Sequence, residues 1–510
     1  MPQEIEIKLS LLSQDLPALL AHPLLQVPSR DVHLRNTYLD TPTLDLLAAR
    51  MALRVRQIGQ RELLTVKTAA SSVGGLSRRS EWEVPRPKGM PDFSRIVDDA
   101  ELAQRLNQWA PAMTAVFRTD FKRRTWVLTH RGARVEVALD DGWVVAGTPA
   151  RPRRERILEL ELELLTGDED ALLDLAHTLA LGPTGHADRA LHLRPAQRSK
   201  AERGYALHLR EPVRPFKSAP LTLDADGSTH AACRAACLAS LAHLQGNETA
   251  LAPQVDAAHL PDPEFVHQAR VALRRLRTGL RLFRADLDPD WVRHWSAHWK
   301  ALADVLGAAR NWDVFATEGL PDLLPATDDR AEAHALRAWV TDQRIAANRR
   351  AAQALAEPSH ALAVLAFTRS AMALHGKRRT DLRAWAIGVL REGHAALRRQ
   401  AREARRLGPE GRHELRLALK KLRYAQEFLA SLLPPKRVAR STTTLAEAQT
   451  LLGELNDLST AQLLLQQAPA TLAPSLVAQL QTGLQKQLEA GLLALPTMEL
   501  ALERSPTPWR

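Results

Sequence analysis

Glu4-Ile5-Glu6-Ile7-Lys8-Leu9 opens this 510-residue chain and decides the reading of its first half. Successive side chains of a β-strand point to opposite faces, so Glu4, Glu6 and Lys8 share one face and three aliphatics share the other. By itself this pattern describes any exposed amphipathic strand. Two acids beside a base are also what is needed to hold a divalent cation and a phosphate together.

Five further segments repeat the design. Leu53-Arg54-Val55-Arg56 puts two guanidiniums on one face, and Leu63 to Lys67 ends in a lysine in the same alternation. Arg79, Glu81 and Glu83 align, Glu136 aligns with Asp140, and Ile157 to Leu164 sets Glu159, Glu161 and Glu163 on one side. Strands with charge on one face and aliphatics on the other predict a closed antiparallel barrel. Its charged faces point inward and its apolar faces lie under covering helices. Opposite charges facing across such a lumen neutralise one another, since unpaired charge there is costly.

These pieces together resemble the CYTH superfamily, the triphosphate tunnel metalloenzymes, and among them most closely the bacterial inorganic triphosphatases. The resemblance rests on Glu-x-Glu-x-Lys at 4–8, Tyr38-Leu39-Asp40-Thr41-Pro42, Leu53 to Arg56, Thr65-Val66-Lys67 and Arg79-Ser80-Glu81. It continues through Asp120 to Trp126, Ala138 to Gly142, the triple-glutamate strand and Ser199 to Tyr205, and so covers residues 1–205. It implies a substrate lining of Lys8, Arg54, Arg56, Lys67, Arg79, Arg123 and Lys200. Arginine suits bidentate phosphate recognition and lysine acts as a point charge. It implies metal ligation by Glu4, Glu6, Asp140, Glu161 and Glu163, with Mg²⁺ as the ion and Mn²⁺ as a substitute. The residues implied in catalysis are Glu4, Glu6, Lys8, Arg54, Arg56 and Lys67. Glu159 shares the face of its neighbours, so which two of the three glutamates meet the ion stays open. Arg78, Arg124 and Glu83 are equally readable as solvated charges.

The length calls for two or three domains. The strand starting at Glu4 implies no secretory leader, and no apolar run approaches the roughly 18 residues of a membrane span. Cys233 and Cys237, the only cysteines, sit four apart in an alanine-rich stretch and are expected to pack on one helix face in a reducing cytoplasm. Prolines 212, 215 and 220 mark residues 206–225 as an extended linker. Beyond it alanine, leucine and arginine recur at helical spacing, predicting an all-α half over 226–505. That half carries about +8 of the net +11 charge, which suits a polyanionic partner. The expected fold class is therefore α+β multidomain, a barrel tunnel with flanking helices followed by duplicated helical bundles.

The duplication is visible in register. Val266 to Arg277 is echoed by Arg412 to Arg423, and Val305 to Asn311 by Leu451 to Asp457, both at an offset of 146. Repeats over about 226–370 and 371–505 explain that offset. On a helical wheel His267, Arg270, Arg274, Arg277 and Arg281 fall on one stripe, beside an apolar stripe of Leu273, Leu276, Leu280 and Phe283. His413, Arg416, Lys420 and Arg423 repeat the basic stripe, whereas Arg275 and Lys421 point elsewhere and read as solvated. Like charges at this spacing destabilise a helix unless an anion binds, so two stripes facing about a pseudo-twofold axis predict a basic channel. Trp291, Trp295 and Trp299 read as an inter-helix packing stripe. The motif His-x-x-Arg-x-x-x-Arg-Arg-Leu-Arg-Thr, with Leu306 to Val314 after it, resembles the CHAD domain, which implies binding of inorganic polyphosphate. The second copy departs at Ser459, where the first has Asp313, and at Lys420 and Lys421, where the first has arginines.

Three functions are consistent with these features. One is metal-dependent hydrolysis of inorganic triphosphate beside a polyphosphate-binding module, in the cytoplasm and at polyphosphate granules. Another is a thiamine triphosphatase or adenylate cyclase of the same superfamily. The last is a non-catalytic binder of polyphosphate or RNA. RNA recognition usually adds exposed aromatics, and the basic stripes carry none, which disfavours nucleic acid. Because every tunnel motif precedes residue 206, residues 1–205 alone are expected to be active.

Overall fold

The computed structural model describes residues 3–68, 71–251, 255–256, 259–376 and 381–509. Ten strands form one antiparallel sheet: β1 (Gln3–Ser10), β2 (Arg30–Asp40), β3 (Met51–Ile58), β4 (Arg61–Thr68), β5 (Ser71–Val73), β6 (Leu76–Pro85), β7 (Thr114–His130), β8 (Ala133–Thr148), β9 (Arg151–Thr166) and β10 (Arg194–Pro195). Eight of them close a barrel in the order β1-β9-β8-β7-β2-β3-β4-β6, with β6 pairing back onto β1. The long β7–β8 hairpin turns through Arg131 and Gly132, both at positive φ. That is the twist a two-residue hairpin loop requires.

The alternation read from the sequence sets the layering. Ile7 and Leu9 join Val135, Val137, Leu160 and Leu162 in an outer apolar core, which the helix Glu169–Ala180 covers with Leu172, Leu175 and Leu179. Their charged neighbours on the same strands turn into the lumen. A second apolar cluster, with Leu53, Val66, Trp82 and Phe93, covers β3, β4 and β6 on the outside.

The chain divides into two compact units, residues 1–214 with 356–373, and residues 215–355 with 374–510. The first unit therefore includes a helix from far along the chain, Pro358–Met372, whose Leu362 and Leu365 are buried in the same apolar core as Ile7 and Leu9. Sequence periodicity could not separate this helix from its neighbours, because its partner surface lies nearly 200 residues away in the chain. The helix Lys200–Leu209 also runs beyond residue 205.

The second unit is helical. Its helices Pro263–Leu282 and Pro289–Val314 are matched, 146 residues on, by the C-terminal part of Leu382–Leu429 and by Pro435–Leu465. Helices that are separate in the first copy, Thr229–Glu248 and Pro263–Leu282, correspond to one continuous 48-residue helix in the second. Leu273, Leu276, Leu280 and Phe283 are fully buried, as are Cys233 and Cys237. Trp295 and Trp299 are buried and stack with ring centroids 5.9 Å apart. No helix among the described residues is long and apolar enough to cross a membrane.

Candidate functional site

Strand register sorts the lumen charges onto two walls. On β8, β9 and β1, Glu136, Glu163 and Glu6 lie in one row across three neighbouring strands. The next rows hold Ala138, Glu161 and Lys8, and then Asp140, Glu159 and Ser10. The opposite wall is mainly basic, with Arg54 and Arg56 from β3, Lys67 from β4, Arg79 from β6 and Arg123 from β7. Between the walls lies a cavity of about 470 Å³ that includes Glu4, Lys8, Arg54, Lys67, Arg79 and Lys200 in its lining.

Lys200 enters from the helix Lys200–Leu209, which is started by a reciprocal cap. The Ser199 hydroxyl accepts from the Glu202 amide, and the Glu202 carboxylate accepts from the Ser199 amide. Farther along, the Tyr205 hydroxyl donates to Asp40 at 2.7 Å, and Gly204 lies so close to Phe117 that a Cβ there would meet the ring at 2.0 Å. Asp40 also accepts the amides of Thr41, Leu46 and Leu47. Asp40 thus supports the helix that delivers Lys200, whereas Tyr38 lines the cavity.

Two carboxylate groups emerge. Asp140, Glu159 and Glu161 form a cluster whose oxygens lie within 4.8 Å of one another, a spacing able to hold a metal ion. Lys200 sits on it, 2.7 Å from Asp140, 2.9 Å from Glu161 and bonded to Glu159. Arg123 clasps Asp140 with two 2.7 Å bonds and also bonds Glu161, while Arg203 reaches Glu159 at 2.9 Å. The second group surrounds Glu163. Burial, the nearby Glu4 carboxylate, and Glu136 and Glu81 push its carboxyl up to about 7 against the opposing pull of Lys67. Its carboxyl is undercompensated, and an all-oxygen donor set suits a hard divalent ion. Glu163 is the member of the triple strand that faces Glu4, and Glu159 belongs with Asp140 and Glu161 instead.

Glu6 is bound by Lys8 at 2.5 Å, Arg79 at 2.6 Å and the Ser77 hydroxyl at 3.2 Å. Burial raises its carboxyl, but Lys8 and Arg79 outweigh that and hold it below the ordinary range. Glu4 accepts from Arg79 at 2.6 Å and Lys67 at 3.1 Å. Lys67 also pairs with Glu81 at 2.5 Å, yet burial with Arg79 and Arg54 pulls its ammonium down to about 8. Burial and Arg54 likewise bring Arg56 to about 10, although it bonds Asn36 and Glu83. The Nε of Arg54 is buried with no hydrogen-bond partner among the described residues, while its Nη2 makes no hydrogen bond but lies 3.7 Å from Glu81. A buried donor left without a hydrogen bond costs roughly 1–3 kcal/mol.

The three ambiguous charges separate. Glu83 lies in the tunnel with Arg56 and Thr65, Arg78 bonds Glu169 at 2.8 Å on the outside, and Arg124 is exposed against Asp31. Glu136 was legible as a lumen residue, and only the row it forms with Glu163 and Glu6 gives it weight.

In the helical unit Arg270, Arg274, Arg416 and Lys420 gather with Arg310. Burial together with Arg274, Arg310 and Arg416 brings Arg270 down to about 10, and burial with Arg416, Arg274 and Arg270 brings Lys420 to about 7. The stripes of the two copies therefore adjoin, with Asp457 as a partial counter-charge. Arg270 donates to the Gly307 carbonyl at 3.0 Å, and Arg416 donates to Asn456. Arg274 and Arg423 lie over the buried Tyr424 ring at 5.6 and 5.1 Å. Arg277 and Arg281 continue the stripe with Arg284, beside Lys421. Burial and Arg310 lower His267, so it is a neutral member, and His413 is exposed. Arg275 is not solvated. It is buried at 3% exposure, paired with Glu427 and stacked on Phe428 at 5.1 Å. Arg310 was missed as a site residue although it stands within the Leu306–Val314 motif.

Residues 2–205 match the CYTH domain model and residues 235–466 the CHAD domain model. An inorganic triphosphatase of Haemophilus influenzae is 34% identical over 211 residues, 41% of this chain and 55% of that protein, so the match spans about half the length of that relative. The crystal structure of the CHAD domain from the plant Ricinus communis is 29% identical, covering 58% of this chain and 99% of that one, with a TM-score of 0.49.

Proposed function

We propose that this chain, a CYTH domain followed by a CHAD domain, hydrolyses inorganic triphosphate in the barrel and holds inorganic polyphosphate on its helical half. The observation that carries the reading is the lumen itself. Its basic wall includes a buried Arg54 whose Nε has no hydrogen-bond partner among the described residues, and it faces carboxylates in excess of their cations around Glu163. A linear triphosphate with a divalent ion supplies the acceptors and the positive charge that these walls lack. Lys8, Arg54, Arg56, Lys67, Arg79, Arg123 and Lys200 bind and orient the phosphates. Glu4, Glu6, Asp140, Glu161 and Glu163 would hold Mg²⁺, or Mn²⁺ in its place. The ion, when bound, would supply Lewis-acid stabilisation of the phosphoryl oxygens.

Chemistry follows from positioning. Water attacks the terminal phosphorus in line, the bond to the bridging oxygen breaks, and the basic wall stabilises the departing pyrophosphate. Burial of the lysines and arginines strengthens each of these interactions and excludes competing water. In the helical half, the cluster of Arg270, Arg274, Arg310, Arg416 and Lys420 takes a longer polyanion. The stripe from His267 to Arg281 extends roughly 21 Å at 1.5 Å per residue, the length of several phosphates. A cytoplasmic location, at polyphosphate granules, suits both substrates.

Turnover of triphosphate, thiamine triphosphate, ATP and long polyphosphate by the purified chain tests the reading. Triphosphate is expected to give the highest kcat/KM. A higher value for ATP or thiamine triphosphate would transfer the assignment to an organic substrate.

A further inference from the structure

The helix Pro358–Met372 is packed against the part of the barrel that fixes Lys8. On its inner face Leu365 is fully buried with Leu9, Leu76 and Leu172. Arg369 clamps it to the helix Glu169–Ala180, with bonds of 2.6 and 2.8 Å to the two oxygens of Asp170 and a further bond to Asp174. Asp174 is itself held by His130 at 2.7 Å and Arg131 at 3.0 Å, at the turn of the β7–β8 hairpin. These charge-assisted bonds and the apolar core fasten the helix to the barrel, so that a displacement of the helix is passed to what it touches.

Beneath it lies the Gly74–Gly75 turn between β5 and β6. Both glycines have positive φ, and neither position has space for a side chain. A Cβ at Gly74 would lie 2.2 Å from the Thr368 hydroxyl oxygen, and one at Gly75 would lie 2.8 Å from the Lys8 carbonyl oxygen. The Gly75 carbonyl accepts the Lys8 amide at 3.1 Å. Directly after the turn, β6 supplies Ser77, which bonds Glu6, and Arg79, which bonds Glu4 and Glu6. Thr368, Gly74, Gly75 and Lys8 thus form a close-packed series with no slack. Packed interiors transmit a small displacement instead of absorbing it.

This helix belongs to the barrel unit by its packing, while the chain continues from both of its ends into the helical unit. We propose that it is a coupling strap: long polyphosphate held by the basic helical cluster alters triphosphate binding in the tunnel by shifting Thr368 against the Gly74–Gly75 turn and hence Lys8. The proposal rests on the triphosphatase and polyphosphate readings above. Arg369 and Thr368 are positioning residues in it, since neither touches the lumen.

The test uses the full chain. The KM for triphosphate is measured with and without long-chain polyphosphate at constant free Mg²⁺, for the wild type, for Arg369→Glu, and for Arg270→Glu combined with Arg416→Glu. Polyphosphate binding is measured in parallel. In the wild type KM is expected to change about fivefold or more, the ordinary scale of coupling between sites. In Arg369→Glu polyphosphate still binds, but KM is the same with and without it. In the double variant polyphosphate neither binds to the helical half nor changes KM. Thr368→Ala, which removes the side-chain atoms that meet Gly74, provides a second break in the series should Arg369→Glu not fold. An unchanged wild-type KM despite bound polyphosphate would overturn the strap, as would an effect that survives in either Arg369→Glu or the double variant, the latter being competition in the tunnel. Absence of triphosphate turnover, or of polyphosphate binding, in the wild type would instead remove the reading on which the strap rests.

Discussion

Replacing Lys200 by Met keeps the volume of the aliphatic stem and deletes one charge from the buried Asp140–Glu159–Glu161 cluster. Removing one partner from a buried ion pair costs about 3–5 kcal/mol, because a charge is left uncompensated. Here no acid is left without a cation. Asp140 keeps Arg123 at 2.7 Å, Glu161 keeps its bond to Arg123, and Glu159 keeps Arg203 at 2.9 Å. The lower end, about 3 kcal/mol, is therefore expected. The three oxygens that Lys200 leaves are already within metal-binding distance of one another. A divalent ion is expected to recover part of the loss, about 2.7 kcal/mol at a concentration 100-fold above its Kd. The assay is thermal unfolding of the barrel transition, wild type against Lys200→Met, with EDTA and across a Mg²⁺ titration. The variant should melt lower in EDTA and gain more than the wild type from Mg²⁺. Equal melting in EDTA, or equal gains in Mg²⁺, would refute the account of Lys200 as the cation that neutralises this cluster.

Glu6→Gln should lower kcat for triphosphate by about a hundredfold or more with the fold retained, as loss of a charge-stabilising group in a preorganised site commonly does; near-normal turnover at saturating Mg²⁺ would exclude Glu6 from the site. Glu163 gives a pH test in the metal-free protein. Its folded value, about 7, lies above that of an ordinary carboxyl, so the folded state binds the extra proton and stability falls as pH rises from about 4.5 to 7. Glu163→Gln should flatten that slope in denaturant titrations across this range, and an unchanged slope would show that Glu163 is already compensated. Arg270→Glu with Arg416→Glu should abolish the preference of the helical half for long chains over triphosphate, and wild-type affinity should fall steeply with salt. Residues 1–205 lack Leu362, Leu365 and Arg369. Calorimetry of that fragment should show a lower melting temperature than the barrel transition of the full chain, and an equal one would make the Pro358–Met372 helix dispensable.

Much of the molecule was legible in one dimension because period-two alternation of charge and aliphatics admits few outcomes. A strand that reads Glu-Ile-Glu-Ile-Lys-Leu needs an apolar cover on one side and counter-charges on the other, and five repeats of the pattern supply both by closing a barrel. The 146-residue offset likewise made the helical duplication visible, since two copies of one packing problem keep the same spacing. Partnership was different. Nothing in the alternation of β9 distinguishes Glu163 from Glu159, because each looks alike along its own strand. Register against β1 and β8 puts one beside Glu6 and Glu136 and the other beside Asp140, within reach of Lys200 and Arg203. Arg275 read as a surface charge until the neighbouring helix brought Glu427 to it. The helix Pro358–Met372 has ordinary helical composition, and only the apolar groove it fills shows that it belongs to the barrel. Local periodicity determined which face of each element is charged, whereas the choice of partner depends on distances between residues far apart in the chain, which exist only after the sheet has closed and the helices have packed.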